Sequence, residues 1–229
     1  MNTLKPKSST FFILFTILVL LDLYVGINND LGFRQITKPL ILISLLLYFG
    51  INGKKLPKKV YYLVLFGLFF SLLGDVFLLY DQLSSNYFIL GLLSFLTAHI
   101  CYSIAFYKQK KDSINRYFWI VLLLFLSYGL NLFLLLKDEL GDLMLPVIIY
   151  IIAILFLAVM AFLRKGNVSK SSFTLVFFGA LFFIASDSIL AINKFLKTIP
   201  YAHLYIMSTY AIAQYLIVSG MLKSNNSKL

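Results

Sequence analysis

Cysteine occurs once in the 229 residues, at Cys101, which excludes an internal disulfide framework and a cysteine-based metal cluster. Histidine occurs twice, so the usual ligand set of a zinc site is missing and no metal is expected. Charge is scarce as well: nine acidic and twenty basic residues make up only 13% of the chain. A water-soluble domain is about one quarter charged, so water is not the main solvent of this protein. No Gly-rich phosphate loop follows a strand pattern, and no G-x-S-x-G nucleophile elbow occurs. Nucleotide-driven chemistry and serine-triad hydrolysis drop out, and no cofactor is expected.

What the chain does have is long apolar runs. Hydrophobic residues make up 61% of it, and runs of membrane length lie at 10–26, 38–51, 60–80, 86–107, 116–136, 144–163, 172–194 and 202–222. A span takes about 20 residues, with about 17–25 usual. Seven runs fit. The second is short, which leaves two possibilities, a start before Lys38 or a tilted helix. Helices satisfy their own backbone in lipid. The expected fold is therefore all-α, a single transmembrane domain of about eight helices over residues 1–229, with connections too short for a soluble domain. The start, Met1 to Lys7 ahead of an apolar run, has the look of a signal peptide. No small-residue cleavage site follows, so an uncleaved first span is expected. Cys101 falls inside an apolar run and reads as inert packing.

The net charge of +11 invites a nucleic-acid partner, but the basic residues sit in short loops between apolar runs, which excludes one. With the N-terminus inside, Lys5, Lys7, Lys54, Lys55, Lys58, Lys59, Lys108, Lys110, Lys111, Arg116, Arg164, Lys165, Lys170, Lys223 and Lys228 fall on the inner side. Arg34, Lys38, Lys137, Lys194 and Lys197 fall outside. Fifteen against five predicts a multi-pass protein of the cell membrane with both termini cytoplasmic.

Two stretches share one pattern, F-G-x-x-F-x-x-x-(G/S)-D-x-x-L: Phe66 to Leu78, around Asp75, and Phe178 to Leu190, around Asp187. They lie in helices 3 and 7, which run the same way across the membrane. A four-plus-four parallel repeat, as in some transporters, would produce this, although helices 1 and 5 show little likeness and Phe and Leu are common enough to match by chance. A charged carboxylate in hydrocarbon costs about 2.5–3.5 kcal/mol even on lenient scales, so it is kept where it is paired, hydrated or used. Each Asp is about 15 residues from the inner end of its helix, or about 22 Å. Both sit at similar depth in the outer third, either as hydrogen-bond partners in a packed core or as the working groups of one site.

Gly67, Ser71 and Asp75 share one helix face, with Gly74 beside them, so this face meets the bundle rather than lipid. In helix 4, Gly91, Ser94, Ala98 and Tyr102 form a small or polar stripe with His99 at its edge. His99 lies about 7 residues, or about 10 Å, deeper than Asp75, so contact requires tilt or a register shift. In helix 8, His203, Met207, Tyr210, Gln214 and Ile217 share a face. His203 reads as interfacial, while Tyr210 and Gln214 serve either substrate or helix cross-linking. Lys38-Pro39 is expected to open helix 2 at the outer surface, where Lys38 either snorkels to lipid phosphates or holds a substrate phosphate. Asp22, at similar depth in helix 1, is placed to pair with Lys38.

Thr37-Lys38-Pro39-Leu40, Ser71-Leu72-Leu73-Gly74-Asp75, Gly91 to Phe95 with Ala98-His99-Ile100-Cys101-Tyr102, and Asp187 with Tyr210 to Ile217 resemble the YhhN, or lysoplasmalogenase, family over about Lys38 to Gly220. The resemblance implies a multi-pass membrane hydrolase that cleaves the vinyl-ether bond of lysoplasmalogens, releasing a fatty aldehyde and a glycerophospho-base. It implies Asp75 and Asp187 as the catalytic pair and a lysophospholipid as the partner. Candidate substrate contacts are Lys38, Ser71, His99, Tyr102, Tyr210 and Gln214. The chemistry suits two carboxylates: protonation of the vinyl β-carbon gives an oxocarbenium ion, and glycosidases divide work on a related cation between an acid and a base. The alternatives are a proton-coupled transporter for a small molecule or lipid, and a non-catalytic scaffold.

Overall fold

The structure, a computed structural model, describes residues 8–28, 30–110 and 116–224. Of the basic residues counted above, Lys5, Lys7, Lys111 and Lys228 lie outside the described residues. Among the described residues, eight helices are long and apolar enough to cross a membrane. They are α1 (Ser8–Ile27), α2 (Leu31–Asn52), α3 (Lys58–Leu79), α4 (Ser85–Tyr107), α5 (Phe118–Leu136), α6 (Met144–Leu163), α7 (Lys170–Ala191) and α8 (Ala202–Leu222). An even number of spans puts both ends of the described chain on one side, here called the termini side.

Local chemistry sets the boundaries. The Asp30 carboxylate accepts the Phe33 N–H and starts α2 seven residues before Lys38, so the short second run is the visible part of a full-length span. Pro39 therefore lies inside α2 rather than at its first turn. Its ring leaves the Gln35 carbonyl without its helical donor. Ser84 and Ser169 cap α4 and α7 in the same manner as Asp30. At its far end α7 runs on through a π turn, Ile192–Leu196, which lengthens the span beyond the apolar pattern.

The densest packing is between α3 and α4 and between α7 and α8; α2–α3 is matched by α6–α7, α1–α2 by α5–α6, and α4–α6 by α2–α8. This is the scheme of two four-helix repeats. Gly67 and Gly179 occupy equivalent places in it. A Cβ on Gly67 would stand 2.6 Å from the Tyr102 ring, and one on Gly179 would stand 3.0 Å from the Ala213 carbonyl and 3.1 Å from the Ile217 nitrogen. Missing side chains are what let the helices close. Gly179→Ala meets backbone that cannot swing aside, so it is expected to cost about 1–3 kcal/mol. A fall in the thermal unfolding midpoint of the purified protein checks this.

On the termini side a fully buried arginine ties four helix ends together. Arg164 donates to the Gln109 side-chain oxygen at 3.1 and 2.8 Å and to the Ser172 hydroxyl at 2.9 Å, and Ser172 in turn donates to the Gly220 carbonyl at 2.7 Å. Arg164→Met keeps most of the volume and strands these acceptors. The expected loss is about 1–3 kcal/mol per stranded group, visible as a lowered unfolding midpoint.

Candidate active site

Asp75 sits one turn before the end of α3 and is 2% exposed. One of its oxygens is 3.4 Å from the Lys38 ammonium of α2; the other accepts the Tyr210 hydroxyl of α8 at 2.8 Å. Behind Tyr210 the hydrogen bonds continue in one direction. The Gln214 amide donates to the Tyr210 hydroxyl at 3.4 Å, and the Tyr102 hydroxyl donates to the Gln214 oxygen at 2.8 Å. Each donor thus points along a chain that ends on the Asp75 carboxylate. Ser71 is buried on the same face, one turn below. The structure therefore gathers Lys38, Ser71, Tyr102, Tyr210 and Gln214 around Asp75.

Asp187 holds the corresponding place on α7, one turn before its α-helical end. It accepts the Tyr150 hydroxyl of α6 at 2.6 Å, and the His99 Nε2 lies 3.7 Å from the same oxygen. His99 is completely buried, and neither ring nitrogen makes a hydrogen bond. Its ring stands edge-on to Tyr150 at 5.3 Å and to Phe183 at 5.1 Å. Phe183 also meets Tyr210 edge-on at 5.7 Å, so one ring separates and joins the two half-sites. His99 reaches Asp187 despite the depth difference because α7 continues through the π turn. Asp187 is then nine residues from the end of its span, and the remaining offset from His99 is about 7 Å of rise, within reach of two side chains.

Lys38 and Asp22 depart from expectation. Lys38 is 5% exposed and turns inward to Asp75, so it neither snorkels at the surface nor pairs with Asp22. The cause is the early start of α2, which carries Lys38 two turns into the span. Asp22 accepts the Thr37 hydroxyl at 2.8 Å and stands 3.4 Å from His203 Nε2. Arg34 Nη2 meets His203 Nδ1 at 2.8 Å. Arginine can only donate, so Nδ1 accepts and the ring proton resides on Nε2, facing Asp22. His203 is thus a link between α1, α2 and α8 rather than an interfacial residue.

Tyr150 was not singled out by sequence reasoning. The repeat carries the missing signal. Tyr102 and Gln214 are 112 residues apart, as Asp75 and Asp187 are, and the same offset carries Lys38 onto Tyr150 and Ser71 onto Phe183. Each aspartate thus takes a partner from the equivalent position of the preceding helix, an ammonium in one half and a phenol in the other. Among the described residues, no group of three or more His, Cys, Asp or Glu is gathered as a metal site.

A cleft between α3, α4, α5, α6 and α7 reaches Asp187 and Tyr150. Its wall is otherwise almost wholly apolar, with Phe88, Phe95, Leu132, Val147 and Ile184 contributing, and its volume is about 50 Å³. That is room for a few water molecules.

The YhhN family profile matches residues 33–221. "Lysoplasmalogenase TMEM86B" of Homo sapiens is 35% identical over 154 residues, 67% of this chain and 61% of the relative. "Lysoplasmalogenase TMEM86A" of Homo sapiens is 35% identical over 161 residues, 69% of this chain and 64% of the relative; its Bos taurus counterpart is 33% identical over the same shares. The chain thus spans less than two thirds of the length of these relatives. No solved structure matches. A profile match from α2 to α8, over helices that carry both aspartates and all their partners, assigns this multi-pass membrane protein to the YhhN family.

Proposed function

We propose that this protein is a lysoplasmalogenase of the cell membrane with both termini cytoplasmic, hydrolysing the vinyl-ether bond of a lysoplasmalogen to a fatty aldehyde and a glycerophospho-base. The observation that carries the reading is the pair of carboxylates in one bundle with unequal partners. Asp75 has an ammonium at 3.4 Å. Asp187 has a phenol and an imidazole, and no Lys or Arg within ion-pair distance among the described residues. Asp75 is the carboxylate of an ion pair, and Asp187 is the group free to carry a proton.

In the reaction, the Asp187 carboxylic acid protonates the vinyl β-carbon, and the electron pair of the double bond forms the new C–H bond. The resulting oxocarbenium ion is stabilised by the negative charge of Asp75. Water adds to the cationic carbon and passes its proton to a carboxylate. The hemiacetal then breaks its bond to glycerol, whose oxygen takes up a proton, and the aldehyde departs. Tyr150 and Tyr210 hold the two carboxylates in place, and Gln214 and Tyr102 hold Tyr210.

Mass spectrometry of a lysolipid panel after incubation with the purified protein tests this. The 1-alkenyl lysolipid is expected to be consumed with release of aldehyde, while the 1-alkyl and 1-acyl analogues remain intact. Consumption of the acyl lipid alone would replace this reading with an ester hydrolase.

A further inference from the structure

A cleft of about 50 Å³ holds water but not an alkyl chain, so a lipid needs another place to lay its chain beside Asp187. A second concavity, of about 350 Å³, runs along the membrane-facing surface between α5 and α7, lined by Leu124, Phe125, Tyr128, Leu181, Ile184 and Ala185. Tyr128 and Ile184 line both, so these two side chains form the wall between the groove and the cleft. A polar link across the junction joins Tyr128 to Ser188 at 2.8 Å. Ser188 spends its own proton on the Ile184 carbonyl at 2.7 Å, so the Tyr128 hydroxyl is the donor and Ser188 the acceptor. Ser188 is the neighbour of Asp187 in sequence.

We propose that the groove between α5 and α7 binds the hydrocarbon chain of a lysophospholipid and admits it sideways from the membrane, with the Tyr128–Ser188 hydrogen bond as its latch. This rests on the function proposed above for the reaction, but not for the binding. α5 is the least buried span, at 11%, and packs mainly on α6. A smaller concavity of about 220 Å³ between α5 and α6 also shares Ile151 and Leu155 with the cleft, but there these side chains pack directly over Gly129 and no polar link leads toward Asp187 among the described residues. The apolar groove between α1 and α8 shares no lining residue with the cleft.

The test uses the full chain in lipid nanodiscs and a 1-O-alkyl lysophosphoethanolamine carrying a photoactivatable diazirine on its alkyl chain. Light is expected to label α5 and α7 between Leu124 and Tyr128 and between Leu181 and Ala185. Ala185→Trp, which fills the groove from the lipid side, is expected to lose most of that label. The same variant should raise KM for a long-chain alkenyl lysolipid and leave kcat/KM for a short, water-soluble vinyl ether unchanged. Tyr128→Phe removes the latch and is expected to increase labelling. Label confined to α1 and α8, or unaffected by Ala185→Trp, would overturn the proposal. Label in the groove without any vinyl-ether hydrolysis would uphold the lipid site and remove the function. Hydrolysis with label elsewhere would remove the site alone.

Discussion

Asp187→Asn is expected to reduce aldehyde release from an alkenyl lysolipid by about 10²–10⁴-fold, the range general acid catalysis supplies. Asparagine has the shape of aspartate and still offers an oxygen to the Tyr150 hydroxyl, 2.6 Å away in the wild type. The helix, the cleft and the neighbouring His99 ring have no reason to move. The loss is therefore expected in kcat, with KM and the unfolding midpoint nearly unchanged, because the proton is needed only in the transition state. Initial-rate kinetics in nanodiscs, together with a thermal melt, checks both halves. A variant that kept its kcat would move the acid to Asp75 or out of the aspartate pair.

Lys38→Met is expected to be the most damaging substitution for the fold. It leaves Asp75, 2% exposed, as a buried carboxylate whose cation has gone. Removing one partner of a buried ion pair costs about 3–5 kcal/mol, mostly through the stranded charge. Asp75→Asn in the same chain removes that charge and keeps an acceptor for the Tyr210 hydroxyl. The double variant is thus expected to recover most of the unfolding midpoint but none of the activity. Equal midpoints for Lys38→Met and the double variant would mean that Lys38 acts by packing rather than by charge.

Much of this architecture was legible in the residues. Apolar runs of membrane length gave eight spans, and the pairing of the Asp75 and Asp187 stretches pointed to the two halves that the packing follows. The small-residue face of α3 and the stripe on α4 did meet inside the bundle, because Gly67 leaves room for the Tyr102 ring. Lys38 was misplaced for a physical reason. Leu31 to Thr37 contains Arg34 and Gln35, which hydropathy reads as a loop, yet Asp30 caps the helix and Arg34 finds His203. Sequence reasoning measured His99 against Asp75, whereas its partner is Asp187, because a π turn has no hydropathy signature and lengthens α7 unseen. Tyr150 escaped notice because a tyrosine in an apolar helix looks like packing until its offset from Lys38 is counted. The Tyr128–Ser188 link lies beyond any sequence pattern, since it depends on where α5 rests against α7.

Hydrolysis in heavy water tests the central claim most directly. Protonation of the vinyl β-carbon by an exchangeable carboxylic acid must place one deuterium on the aldehyde carbon next to the carbonyl. The account predicts a singly deuterated aldehyde from the wild-type protein, formed more slowly than in ordinary water, and none from Asp187→Asn. An aldehyde released without deuterium at that carbon would contradict it.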